Sequence, residues 1–185
     1  MDKPSKLIME KSDLDVVPEI ALPPGYLLRT FRSGDELGLG RLYGLSSLGS
    51  ESPEGVRAKM LMHPCFKAER IFIVEHSGEI IATCAAWVEP ESPECGFLHM
   101  LGVLPGHQGK QLGTVVATET VRYTRGEGFS RQRLLTDDWR DPAITLYFNL
   151  NFHPVITCDT HPERWRVIGE RVNRMDAVKR AVDAR

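Results

Sequence analysis

Residues 97–116 read FLHMLGVLPGHQGKQLGTVV, and the order of residue types in this stretch decides the fold. Phe97 to Val103 is an apolar run of strand length, and Leu104-Pro105-Gly106-His107 breaks it. Gln108 to Gly113 is basic and bears two glycines. A helical pattern follows at once, with Leu112, Val115, Val116, Thr120 and Tyr123 on one stripe. The reading is a buried strand, a tight loop and a helix N-terminus. The first turn of a helix presents unpaired backbone N–H groups and the positive end of its dipole. A short loop with glycine lets those groups approach a phosphate. Taken alone, the stretch fits a phosphate-binding loop or an ordinary strand–helix connection.

Working outward, the clearest hairpin lies just upstream. Arg70–Glu75 and Glu79–Val88 read as strands joined at His76-Ser77-Gly78. A loop, Glu89 to Glu94, leads from there into a strand over Cys95–Val103. Before the hairpin come a strand over Tyr26–Phe31, a helix capped by Asp35 through about Leu45, and a helix that Ser52 caps and His63-Pro64 stops. Downstream, Arg131–Thr136 reads as a strand. A helix capped by Asp141 carries Ile144, Tyr147 and Phe148 and ends near Asn151, and Pro154–Cys158 reads as a last strand. Thr160-His161-Pro162-Glu163 has the form of a capping box, opening a final helix whose last dozen residues are expected to fray. Residues 1–22 read as an N-terminal arm with a short strand at Leu7–Met9 and a second extended piece over Val16–Leu22. The main domain is then 23–160, and 161–185 is a C-terminal helix packing on it or extending from it.

Bulk properties narrow the class. A chain of 185 residues with 42% hydrophobic and 26% charged residues is long enough for one domain with a real core. A net charge of −2 gives no pull toward nucleic acid or a membrane surface. No run approaches the roughly 18 apolar residues of a membrane span, and the N-terminus has no signal-peptide core. Cys65, Cys84, Cys95 and Cys158 show no CxxC spacing, so no metal site is expected; reduced thiols in the cytoplasm fit them.

The element order and two motifs resemble the GNAT (Gcn5-related N-acetyltransferase) superfamily. Its first signature, Gln or Arg, two residues, Gly, one residue, Gly or Ala, is similar to Gln108-Gly109-Lys110-Gln111-Leu112-Gly113, and its preceding Val-x-Pro to Val103-Leu104-Pro105. The second, Ala, three residues, Tyr, three residues, Gly-Phe, is similar to Ala143 through Tyr147 to Asn151-Phe152. The resemblance covers about Pro24 to Cys158. It implies an α/β (α+β) fold: a mixed, mostly antiparallel sheet of six to seven strands flanked by helices, with splayed central strands forming an acyl-CoA cleft. Two positions depart from the pattern. Gln111 stands where the family has Gly, and Asn151 replaces a Gly at a helix C′, where Asn is the next-best residue.

The implied activity is acyl-CoA-dependent N-acyl transfer, acetyl-CoA being the default co-substrate, to an amine of a small molecule or a protein. A non-catalytic acyl-CoA-binding module of the same fold is the alternative. The implied cofactor-binding residues are Leu101, Gly102, Val103, Gln108, Gly109, Lys110, Gln111, Leu112, Gly113, Thr114, Arg140 and Tyr147. Leu101–Val103 would align the thioester arm, with Gly102 fitting a bulge or a close backbone approach. A backbone N–H near Val103 would meet the oxyanion, and Lys110 would add charge at the pyrophosphate. Tyr147 is the implied catalytic acid for the departing thiolate. His99 is the candidate base, with Glu94, Asp137 and Asp138 as competing bases or anchors for the substrate amine. Trp87 and Trp139 line an acceptor cleft or pack, and Trp165 reads as a packing anchor. His63 and Cys65 flank Pro64 and read as loop residues. The final helix offers a surface for a homodimer.

Overall fold

The computed structural model describes residues 5–49, 52–89, 92 and 94–183. Residues 1–4 of the expected arm, 50–51 before the second helix, 90, 91 and 93 of the loop before the central strand, and 184–185 of the C-terminal helix lie outside the described residues. Among the described residues seven strands are formed: β1 (Leu7–Lys11), β2 (Tyr26–Thr30), β3 (Ile71–His76), β4 (Glu79–Val88), β5 (Gly96–Val103), β6 (Gln132–Thr136) and β7 (His153–Val155). The helices are α1 (Glu36–Leu45), α2 (Pro53–Val56), α3 (Leu112–Gly126), α4 (Asp141–Asn149), α5 (His161–Arg171) and α6 (Met175–Asp183). The strands make one sheet in the order β2-β3-β4-β5-β6-β1-β7. Every adjacent pair is antiparallel except β5 with β6, which is parallel. This is the mixed, mostly antiparallel sheet flanked by helices that the sequence implies.

The β3–β4 hairpin closes on Ser77 (φ +52°) and Gly78 (φ +79°), the paired positive φ values that match the twist of the flanking strands. At the other end of the sheet β1 is a full member. Its five residues pair with β6, three of them pair with β7, and Leu7, Met9 and Lys11 share a buried face. Residues 16–22 form no strand. They lie near α3, where Arg122 donates to the Pro18 carbonyl at 3.1 Å and Arg125 pairs with Asp15.

Several boundaries differ from those expected. Asp35 does precede α1, but its carboxylate takes the Arg29 fork (2.7 and 2.9 Å) and the Arg32 N–H, and makes no helix-capping bond. Ser52 caps α2 through the Gly55 N–H at 3.0 Å, and the helix continues as a π-helical turn over Arg57–Leu61. Arg140, rather than Asp141, holds the cap position of α4. The capping box at Thr160 does not form; the hydroxyl lies 3.3 Å from the Cys158 Sγ. β7 starts one residue early and spans three residues.

The C-terminal segment is two helices rather than one fraying helix. α5 ends in a left-handed turn at Asn173 (φ +55°), with the Arg174 N–H returning to the Gly169 carbonyl at 2.8 Å. Gly169 leaves room for α6, since a Cβ there would meet Val178 Cγ2 at 2.8 Å. Val178 is fully buried, and Trp165 is the anchor expected of it, with no exposed surface and Phe148 edge-on at 6.3 Å.

Candidate functional site

The site starts from a defect in strand pairing. β5 and β6 pair only at Gly96–Gln132 and Phe97–Arg133, after which the two strands part. On its other side β5 stays bonded to β4, but the register slips: Ala85 faces His99 while Thr83 faces Gly102. One extra residue on β5 makes a bulge, and Met100 takes it up at φ +54°. The bulge therefore falls at Met100, before the expected Gly102. Gly102 answers instead to close approach, because a Cβ there would meet Leu42 and Leu48 of the α1 region at 2.7 Å. Past the bulge, the Leu104 N–H bonds back to Ile81 at 2.9 Å. Strand alternation then turns the N–H and C=O of Leu101 and Val103 toward the gap beside β6.

The loop after β5 supplies the second half. Pro105–His107 makes one 3₁₀ turn, Gly109 sits at φ +78°, and Gln111 sits at φ +60° immediately before α3. The glycine-pattern position held by Gln111 is thus left-handed, and a residue with a Cβ occupies it at a cost of about 1–2 kcal/mol. Its side chain makes no capping bond, so the first N–H groups of α3 are left for a ligand. Gly113 lets α3 approach the sheet and α4, with Val103 Cγ2 and Leu146 Cδ1 within 3.3 Å of the Cβ it lacks.

Between these halves lies a cleft of about 440 Å³. Of the residues the sequence points to, Leu101, Gly102, Val103, Gln108, Gly109, Gln111, Leu112, Gly113, Thr114 and Arg140 line it. Ser46, His107, Trp139 and Leu146 join them. A strand edge with open backbone groups, running into a helix N-terminus, fits an extended thioester arm ending in a diphosphate.

Three expected residues stand apart from this lining. Lys110 points away, its Nζ donating to the Tyr26 hydroxyl at 2.8 Å. Tyr147 is on α4 one residue past Leu146, 6% exposed and edge-on to Phe152 at 6.1 Å. Burial pushes its phenol above the ordinary range, with Cys84 adding to the effect. α4 ends as expected: Asn151 takes φ +61°, and the Phe152 and Asn151 N–H groups return to the carbonyls of Tyr147 (2.9 Å) and Phe148 (3.0 Å). His99 precedes the bulge and reaches solvent beside Trp87, ring centroids 5.4 Å apart. His63, at 5.1 Å on Trp87, completes a row of three rings. Loss of water on the side of the ring that faces the protein, then the charge of His63, hold the His99 pKa below 6.5.

Two of the carboxylates that compete with His99 are committed elsewhere. Burial disfavours ionised Asp137, but hydrogen bonds from Lys6 and Arg140 prevail and hold its pKa below the usual range. Asp138 is held low by the Arg164 fork at 2.6 and 2.9 Å. Both are anchored anions, poorly suited to take a proton. Glu94 is exposed. Trp139, 62% exposed, lies under the Arg140 guanidinium at 4.3 Å. His63 lies in the turn after the π-helical segment, as its place beside Pro64 leads one to expect. Its neighbour Cys65 donates a backbone N–H to it at 3.2 Å, a turn contact with no long-range sequence signal.

A family model described as Acetyltransferase (GNAT) family matches residues 42–152, from α1 to the turn after α4. The mycothiol acetyltransferase of Thermomonospora curvata is 30% identical over 142 aligned residues, a match that covers 74% of this chain and 47% of that protein. That of Streptomyces coelicolor is 26% identical over 142 residues, 74% of this chain and 45% of that protein. The chain thus spans about half the length of these relatives. Among solved structures, a GCN5-related N-acetyltransferase from Sphaerobacter thermophilus shares the fold with a TM-score of 0.62 at 22% identity, over 82% of this chain and 49% of that one. The ribosomal-protein-S18-alanine N-acetyltransferase of Escherichia coli does so with a TM-score of 0.57 at 17% identity, over 71% and 79%. The splayed β5–β6 pair, the Gln108–Gly113 loop and the match over 42–152 lead to one conclusion: the chain belongs to the GNAT family of acetyltransferases.

Proposed function

We propose that the chain is an N-acyltransferase that takes an acyl-CoA, acetyl-CoA by default, in the cleft between β5 and β6. The observation that carries this reading is the convergence of the open β5 edge and the free α3 N-terminus on one cleft. Backbone groups of Leu101 and Val103 align the thioester arm, and the Val103 N–H offers a donor to the oxygen on which charge develops. The N–H groups of Leu112, Gly113 and Thr114 receive the diphosphate. The thioester supplies the acyl group, and an amine attacks it directly.

In this reading Tyr147 protonates the departing thiolate, its raised pKa keeping the phenol protonated across the working range. His99 removes the proton of the attacking amine. The His63–Trp87–His99 row then lies on the acceptor side. The similar proteins named mycothiol acetyltransferases support a small-molecule acceptor.

Acetyl-CoA is expected to raise the thermal midpoint of the protein, because it binds the native state alone. Thioester consumption with a panel of small amines then separates an enzyme from a binding module. No shift at saturating acetyl-CoA sinks the cleft assignment; a shift without turnover on any amine leaves the binding module.

A further inference from the structure

We propose that Tyr26 is a positioning residue for the diphosphate loop. With His107 and Lys110 it forms a strut that fixes residues 105–111, so that Lys110 serves the site through the strut rather than by touching phosphate. This rests on the acyl-CoA reading of the cleft.

The geometry is a chain of directed bonds. Lys110 has only donors, so its Nζ donates to the Tyr26 hydroxyl at 2.8 Å. The hydroxyl proton is then free for His107 Nδ1, also at 2.8 Å, and that ring nitrogen accepts. An accepting Nδ1 requires neutral His107. Burial, Lys110 and His76 all hold its pKa below the ordinary imidazole value, and Glu79 opposes them.

The other end of the strut is set in the sheet. Tyr26 pairs with His76 across β2 and β3, and their rings stack at 4.4 Å and 23°. His76 Nδ1 in turn donates to the Gly25 carbonyl at 2.8 Å. The Lys110 ammonium also lies 5.3 Å from the Tyr26 ring centroid. The loop needs such a tie. Its other side-chain bond to the sheet, from Gln108 Nε2 to the Val103 carbonyl, is 3.4 Å long. Gln111 sits at positive φ, a strained shape that a free loop would leave.

The experiment measures acetyl-CoA binding by calorimetry, and steady-state turnover, for wild type, Tyr26→Phe, Lys110→Met and the double variant. Phenylalanine keeps the stack on His76, and Lys110 is exposed, so the second variant probes the strut without touching the sheet. Each single change is expected to weaken binding about fivefold. Turnover at saturating acetyl-CoA should hold within about twofold, and the double variant should be no weaker than either single one. Wild-type binding in Tyr26→Phe overturns the strut. So does a Lys110→Met loss that far exceeds the Tyr26→Phe loss and adds to it, as a direct phosphate contact would. If the wild type itself fails to bind acetyl-CoA, the functional reading falls and the strut with it.

Discussion

The Arg140 guanidinium donates to the Ser47 carbonyl at 2.8 Å and so joins the start of α4 to the end of α1, two walls of the cleft. Its Nε is held by Asp137 at 3.2 Å, and its plane lies over Trp139. β5 and β6 share no bonds at this level, so the width of the gap is set by side chains such as this one. A point charge cannot reproduce the fork and the stack together. Arg140→Ala is expected to raise the KM for acetyl-CoA several-fold and lower stability by about 1 kcal/mol, a few degrees in Tm. Arg140→Lys should recover little of either. Unchanged KM and Tm in both variants would show that the bridge does not shape the cleft.

Gln111 carries backbone strain that glycine would not. At φ +60° a side chain costs about 1–2 kcal/mol, and glycine returns about 0.5–1 kcal/mol of that in unfolded-chain entropy. Gln111→Gly should therefore stabilise the fold by up to about 1 kcal/mol, and Gln111→Val should destabilise it, since β-branching is worst in this region. Urea unfolding reads both. A less stable glycine variant would mean that the Gln111 side chain makes a compensating contact.

Tyr147 tests the acid. Its phenol is pushed above the ordinary value, so ionisation of Tyr147 should not curtail turnover up to about pH 10. Tyr147→Phe should lower kcat about 10–100-fold with acetyl-CoA affinity held within about twofold. Wild-type kcat in this variant would discard the role and leave Tyr147 as a packing residue of α4.

What the sequence made legible is what local chemistry determines. Gly109 and the Asn151 turn have the geometry their residue types favour, because a loop glycine and a left-handed Asn report backbone shape directly. The Ser77-Gly78 hairpin is legible for the same reason. The bulge was not: nothing in a methionine announces φ +54°, and Gly102, two residues on, is the residue type that suggests one. The contacts among Tyr26, His107 and Lys110 join residues 81 and 84 positions apart, and no periodicity carries that. The capping box at Thr160 failed because its hydroxyl turns to Cys158. Pairing partners for β1 were likewise out of reach, since a five-residue strand does not name its neighbours.

Lys11 is 1% exposed on the face it shares with Leu7 and Met9. Burial holds its pKa below the usual lysine value, and the charge of Asp13 offsets this only in part. The folded-state pKa is therefore below the unfolded one, so the unfolded chain binds the proton more tightly. Wild-type stability should rise as pH increases toward about 10. Lys11→Met keeps the apolar stem and removes the charge. It should add about 1 kcal/mol near pH 7, and the gain should shrink toward pH 10. A destabilised Met variant would show that the ammonium is satisfied where it lies.

His63 and His99 test the acceptor side by their coupling through space. The His99 pKa is held below 6.5 first by partial loss of water around the ring and then by the charge of His63. The base is thus neutral, and able to accept a proton, into mildly acidic solution. The acidic limb of kcat/KM should lie below the ordinary imidazole range. His63→Ala removes the like charge, so the His99 pKa rises and the limb moves to higher pH. The opposite displacement would follow if His63 stabilised a protonated His99. His99→Gln should abolish the limb and lower kcat/KM about 10–100-fold on its plateau. A limb that stays in place in both variants would assign the titration, and the base, to another group.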